Sequence, residues 1–322
     1  MQALKYLNHA LSPIGPHGIF LSAQVRLLGA ILLCALPVTT SLAQSGSNSP
    51  NVKQHTTTLN VIVHAPNDKV VTADTLDLYD SGVRQDILGF DRINTGSDIV
   101  LLVDNSVNLK VEGPALQKAA LDVVNQLYQD DQMMVVGFNK DAEIIQDMTA
   151  TLAPLQVATT KFVRKNLPNL FDALVATADA LAHRQQTGVA KRAIILISDG
   201  YDSGSQQKFD QALYALQDDN IIVYALQVPD RTHGALLRDK PKPPEVLERI
   251  TEGTGGKIFP VTQAAQAAKT VTDDMRNHWY RLVYTPTSVT TIRTRYILIM
   301  SHEQDVEFRT KGTQPGRYHA PE

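Results

Sequence analysis

Four short, almost wholly apolar runs spaced along one stretch of chain constrain this protein more than any other feature: DIVLLVD at 98–104, QMMVVGF at 132–138, AIILISD at 193–199 and NIIVYALQV at 220–228. Runs of this length without polar alternation are strands buried on both faces. Between them the apolar residues recur at helical spacing. Leu116, Ala120, Val123, Val124 and Leu127 share one helix face, and Leu170, Ala173, Leu174, Ala178 and Leu181 share another. Strands of this kind alternating with amphipathic helices predict an α/β fold: a doubly wound, Rossmann-like, mostly parallel sheet covered on both sides. The short EIIQDMT at 143–149 follows QMMVVGF closely and reads as an antiparallel edge strand.

The flanks have a different texture. LNVIVHA, DTLDLYD and VRQDILGFD alternate apolar and polar residues around Asp80-Ser81-Gly82, so residues 58–95 read as a small β unit with a hairpin. WYRLVYTP, TRYILIM and DVEFRT make residues 279–322 a C-terminal β extension, leaving 98–278 for the α/β domain. Residues 44–57 are polar and rich in turn formers, as a linker is. Ahead of it, Arg26, the apolar LLGAILLCALPV and the small-residue TTSLAQ have the layout of a secretory signal peptide over 1–43, cut after Ala43. The apolar run falls short of the roughly 20 residues of a membrane span. The only cysteine, Cys34, would leave with it, so the exported chain would have no thiol chemistry. A net charge of −3 with scattered lysines and arginines gives no reason to expect a nucleic-acid partner.

Open α/β sheets bind ligands beyond the carboxyl ends of their strands, near the reversal in strand order. Two strands here end in a carboxylate followed by small polar residues: Asp104, with Asn105, Ser106 and Asn108, and Asp199, between Ser198 and Gly200. Two aspartates with hydroxyl and amide oxygens are hard ligands of the kind magnesium and manganese accept. The same aspartates can instead cap their loops by accepting backbone hydrogen bonds.

The strand IVLLVDNSVN resembles the opening of a von Willebrand factor type A (VWA) domain, whose D-x-S-x-S sequence begins a metal-ion-dependent adhesion site, and ISDGYDSGS resembles that site's later S-D-G segment. EGTGGKIF at 252–259 is similar to a stretch late in such domains. With YDSGVRQDILGF before the domain and YRLVYTP after it, the resemblance extends to VWA-related exported proteins of the acidobacterial type and covers roughly residues 58–318. It implies a VWA-type fold embraced by N- and C-terminal β extensions. It also implies a Mg2+ or Mn2+ site at Asp104, Ser106, Asn108 and Asp199, and a partner surface around Asp104, Ser106, Asn169 and Gly200. In intact sites of the family, an open coordination position accepts a carboxylate from a protein partner. This chain departs from the pattern at two places. Asn108 stands for the second serine, and in PNLFDAL Pro168 stands for the family's threonine, leaving Asn169 as the nearby oxygen.

Competing enzyme readings lack their motifs. The first strand is followed by neither G-x-G-x-x-G nor a P-loop; Ser106 stands where a D-x-D phosphatase has its second acid; there is no G-x-S-x-G elbow. A receiver-type phosphoacceptor aspartate fits one loop, but export argues against a cytosolic phosphorelay. His55, His64, His183, His233, His278, His302 and His319 are scattered without zinc spacing, and His278-Trp279-Tyr280 reads as packing at the domain junction. The proline-rich RTHGALLRDKPKPPE at 231–245 reads as a surface loop. The expectation is therefore a periplasmic or secreted, non-enzymatic module that binds a protein or peptide. The alternative is a structural part of an envelope assembly with a vestigial site and contacts through its β extensions.

Overall fold

The computed structural model describes residues 55–66, 69–184, 191–235 and 241–316. The expected signal peptide, Cys34 and nearly all of the expected linker lie outside the described residues.

The apolar runs form the centre of a six-stranded sheet. Its strands are β5 (Ser97–Asp104), β6 (Gln132–Phe138), β7 (Ala142–Thr149), β8 (Lys191–Ser198), β9 (Ile222–Gln227) and β10 (Ile258–Pro260). The earlier strands β1 (Thr57–His64), β2 (Leu76–Asp80), β3 (Val83–Gln85) and β4 (Ile87–Arg92) belong to the flank. The sheet order is β10-β9-β8-β5-β6-β7, parallel throughout except for β7, which pairs antiparallel at the edge. The chain builds outward from β5 first on one side and then on the other, so the strand order reverses between β5 and β8.

Side chains alternate along β5, and each face has its own core. Ile99, Leu101 and Val103 pack with α1 (Gly113–Val124) and α6 (Ala264–Asp273), and α2 (Leu152–Ala158) adds Leu155 to the same cluster. Val100 and Leu102 pack with α3 (Leu170–Ala182), α4 (Phe209–Asp218) and α5 (Pro243–Thr254). The helices form because their apolar residues fall on one side: Leu170, Ala173, Leu174, Ala178 and Leu181 are all buried.

The two flanks are woven together. After a π-type turn at Asp274–His278 come β11 (Trp279–Tyr284), β12 (Arg295–Ser301), β13 (Glu307–Thr310) and β14 (Thr313–Gln314). They complete two four-stranded sheets with the N-terminal strands, in the orders β13-β1-β11-β4 and β14-β12-β2-β3. The β2–β3 hairpin turns through Ser81 (φ 51°) and Gly82 (φ 82°), the double left-handed turn that matches strand twist. Its core contains Leu59, Val61, Leu78, Leu282 and Tyr284. Asp80, fully buried there, accepts hydrogen bonds from Tyr284 Oη (2.7 Å) and from Arg295.

A second buried carboxylate joins the flank to the α/β domain. Asp274 accepts from Tyr224 Oη of β9 (2.9 Å) and Arg309 Nη2 of β13 (2.6 Å), and lies 2.7 Å from His64 Nε2 of β1. His64 stacks on His278 at 4.0 Å, Tyr280 stacks on Phe90 at 4.9 Å, and Trp279 is buried in the α/β core. The aromatic group at 278–280 thus packs the junction.

Candidate functional site

Asp104 ends β5 and Asp199 follows β8, the two strands that flank the reversal in strand order. Both carboxylates are fully buried, as is Ser106. The local chain holds each one. Asp104 Oδ1 accepts the Ser106 N–H (2.9 Å) and its hydroxyl, Oδ2 accepts from Ser198 Oγ (3.3 Å), and Asp199 Oδ1 accepts the Tyr201 N–H (3.1 Å). These are the side-chain-to-backbone turns that short acids make at strand ends.

The acids converge on Arg231. Its Nε donates to Asp199 Oδ2 (2.6 Å), and its Nη2 to Asp104 Oδ2 (2.6 Å) and Asp199 Oδ1 (3.0 Å). Nη1 donates to Ser106 Oγ (2.8 Å) and the Val107 carbonyl (3.0 Å), and the Arg231 backbone N–H to Asp199 Oδ2 (3.1 Å). No guanidinium nitrogen is left without an acceptor, and the side chain is only 6% exposed. Tyr201 lies beside it, with the guanidinium carbon 5.3 Å from its ring centre.

Arg231 falls in the stretch expected to be a surface loop; His233, Gly234 and Ala235 are exposed there, but the Arg231 side chain turns inward to the centre of the site and residues 243–245 begin α5. Residues 236–240 of the same stretch lie outside the described residues. The missed signal was position, because Pro229-Asp230-Arg231 follows the carboxyl end of β9, the neighbour of β8. Two acids buried together are stabilised by a cation between them, and the loop after β9 supplies it.

Charge balance is uneven. Burial pushes the Asp104 carboxyl above its ordinary value, against the opposing pull of Arg231 and the Ser106 hydrogen bonds. Burial would lower Arg231, but its bonds to Asp199 and its attraction to Asp104 hold it above its usual range. One guanidinium faces two carboxylates where a divalent ion would balance both.

The remaining expected residues do not join this group. Asn108 is exposed in the left-handed region (φ 64°), so the chain presents the Val107 carbonyl to the guanidinium instead. Asn169 donates to the Lys140 carbonyl (3.0 Å) and accepts from Ser203 Oγ (3.3 Å), tying three loops at the rim. Pro168 supplies its carbonyl to the Ser203 N–H and hydroxyl, both at 2.8 Å. Gly200 is buried with φ +84°, and a Cβ there would stand 2.0 Å from the Pro243 carbonyl. It is a packing position beneath α5 and has no face for a partner. Asn105, Asn139 and Asn166 form a separate amide chain, with bonds of 3.1 and 3.0 Å.

The family profile described as von Willebrand factor type A domain matches residues 98–274. The chain belongs to that family. Among solved structures it is similar to an aerotolerance-related membrane protein from Bacteroides fragilis NCTC 9343 carrying multiple mutations to serines, at 15% identity and a TM-score of 0.45, over 56% of this chain and 98% of that one. It is similar to the conserved hypothetical protein BatB from Bacteroides thetaiotaomicron, at 16% identity and a TM-score of 0.43, over 56% and 97% of the two chains. It is also similar to the SpRpn10 VWA domain, at 11% identity and a TM-score of 0.38, over 55% and 95%. A comparison with curated proteins finds no match.

VWA domains often carry Mg2+ or Mn2+ where Asp104, Ser106 and Asp199 meet. With Arg231 in place, the donor set here does not fit an ion. The Asp199 oxygens, Asp104 Oδ2 and the Ser106 hydroxyl all accept from Arg231, Asn108 is turned to the surface, and Pro168 has no side-chain oxygen. Among the described residues, no three His, Cys, Asp or Glu side chains form a metal-binding group, and no helix is long and apolar enough to cross a membrane.

Proposed function

We propose that this chain is an exported, non-enzymatic module that binds a protein or peptide at the strand-end face of its VWA domain, beside a degenerate adhesion site. One observation carries the reading: the polar groups at the strand ends are closed beneath Arg231, while apolar side chains stand open on the edge strand β7 and on the loop that bonds to Asn105. Ile144 is 57% exposed on β7, and Val163 and Leu167 are 66% and 46% exposed on the loop that bonds to Asn105 through Lys165. With the carboxylates sealed, no nucleophile or base of this site faces solvent. A partner would be held by surface complementarity, with no carboxylate capture by an ion. Export to the periplasm or beyond is supported by Arg26, LLGAILLCALPV and TTSLAQ ahead of the folded region.

A second reading has its own support. On β12 the outward residues Tyr296, Leu298 and Met300 are 71%, 53% and 42% exposed, and Tyr79 stands opposite Leu298 on β2. A structural part of an envelope assembly would make contact through this stripe. Photocrosslinkers at positions 163 and 298, in cells exporting the chain, separate the two. A discrete adduct from 163, unchanged by chelator and missing from 298, supports the first reading. Adducts from 298 alone would replace it with the second.

A further inference from the structure

The site keeps the two carboxylates and the hydroxyl of a cation site, and a cation is present: it is covalently part of the chain. We propose that Arg231 replaces the divalent ion, so that the wild-type protein neither needs nor takes up Mg2+ or Mn2+, and that truncating this one side chain uncovers a latent ion site. Three features of the geometry support this. Nη2 bridges Asp104 and Asp199 at 2.6 and 3.0 Å, a bridging role that a shared ion would otherwise fill. Nη1 reaches Ser106 Oγ, the remaining side-chain oxygen of the group. The guanidinium is also sealed in, at 6% exposure over carboxylates at 0%. A surface arginine that found acids by chance would keep donors in water.

The consequence is functional. An ion has exchangeable positions that a partner's carboxylate can enter, whereas this guanidinium has spent its donors internally. The substitution therefore turns a ligand-accepting centre into a fixed closure, and partner binding becomes insensitive to chelators. Two carboxylates, a hydroxyl and water are a sufficient set for Mg2+ or Mn2+ once the guanidinium is gone.

The test uses the purified exported chain, Arg231→Ala, Asp199→Asn and the double variant Arg231→Ala/Asp199→Asn. Each is chelator-treated and titrated calorimetrically with Mn2+ while its Tm is followed. Wild type is expected to take up no Mn2+ into the millimolar range, with its Tm unmoved by the ion. Arg231→Ala is expected to melt lower, to bind Mn2+ saturably and at least about tenfold tighter than wild type, and to regain Tm on binding; the double variant does neither. If Arg231→Ala is recovered only unfolded, it is refolded with Mn2+ or with chelator: folded protein in Mn2+ alone supports the proposal, and failure in both overturns it. A folded Arg231→Ala that ignores Mn2+ overturns it too. So does wild-type binding that Asp199→Asn abolishes, because the ion would then be displacing Arg231. Partner capture is read in a separate experiment, and its failure would leave these titrations unchanged.

Discussion

Besides the Asp80–Arg295 pair within the flank, buried aspartate–arginine knots stand at Asp274 and at Asp104 and Asp199, and these two differ in what the arginine is attached to. Arg309 lies on β13, an edge strand of the flank, and meets Asp274 together with Tyr224 and His64. It also donates to the carbonyl of Gly255 (3.2 Å), whose left-handed φ of +85° ends α5. Arg231 lies on the loop between β9 and α5, and meets acids that two strand ends supply. The chemical pairing is the same. In the first knot every participant is positioned by regular structure and the flank is fastened to the α/β domain. In the second, one loop residue closes a site. Buried ion pairs are weak sources of net stability, but breaking one strands a charge. The first knot is therefore a joint, and the second a removable closure.

Arg309→Ala breaks the joint. It leaves Asp274 buried without its guanidinium, at a cost of about 3–5 kcal/mol, and Tm should fall by roughly 10 °C. The fall should be the same with Mn2+ or chelator, because a single carboxylate beside a tyrosine and a histidine is no hard-ion site. Thermal melts of Arg309→Ala and Arg231→Ala, each with and without Mn2+, compare the knots directly. Equal rescue of both by the ion would erase the distinction drawn here.

That distinction was only half legible in the sequence. The strands announce themselves because DIVLLVD and AIILISD are buried on both faces and have no polar period to confuse. Asp104 and Asp199 follow from the rule that open sheets place ligands at strand ends. The lysines, arginines and prolines of 231–245 are a different case. Polar loop composition fits solvent and a buried ion pair equally well, so composition could not find Arg231. Asn108 failed for a related reason: an asparagine tolerates left-handed backbone, and it used that freedom to turn out of the site. The weaving of the flanks was beyond period-two alternation, which identifies strands but not their partners.

Gly200→Ala tests how tightly the closure is built. The added methyl would meet the Pro243 carbonyl at 2.0 Å and Leu247 Cγ at 2.9 Å, on backbone at φ +84°. A loss of roughly 3 kcal/mol is expected from overpacking, read as a lower denaturation midpoint. An unchanged midpoint would mean that α5 can slide away from the site, which the joint through Gly255 should forbid.

Lys311 makes the joint side pH-dependent. It is 3% exposed, donates to the Gln217 carbonyl and Asn220 Oδ1 at 2.7 Å each, and burial lowers its pKa from 10.5 to about 7. Between those values the unfolded chain binds a proton that the folded chain does not, so stability rises with pH across that window, by up to about 1.4 kcal/mol per unit. Below about 7 both states are protonated and this contribution is flat. Urea midpoints from pH 7 to 10 should rise in the wild type, and Lys311→Gln should lose that slope while Arg231→Lys keeps it.

The smallest effect on stability belongs to the surface outside both knots. Val163→Asp and Leu167→Asp alter side chains that are 66% and 46% exposed and lie in neither buried carboxylate group. Their melts should stay within about 0.5 kcal/mol of wild type, yet adducts from a photocrosslinker at position 144 should disappear. Destabilisation would show that these residues brace the Asn105 loop and are not presented to a partner. Persistence of the adducts at unchanged stability would move the binding surface to the flank, on the far side of the joint. These two substitutions separate rim from closure without touching either arginine.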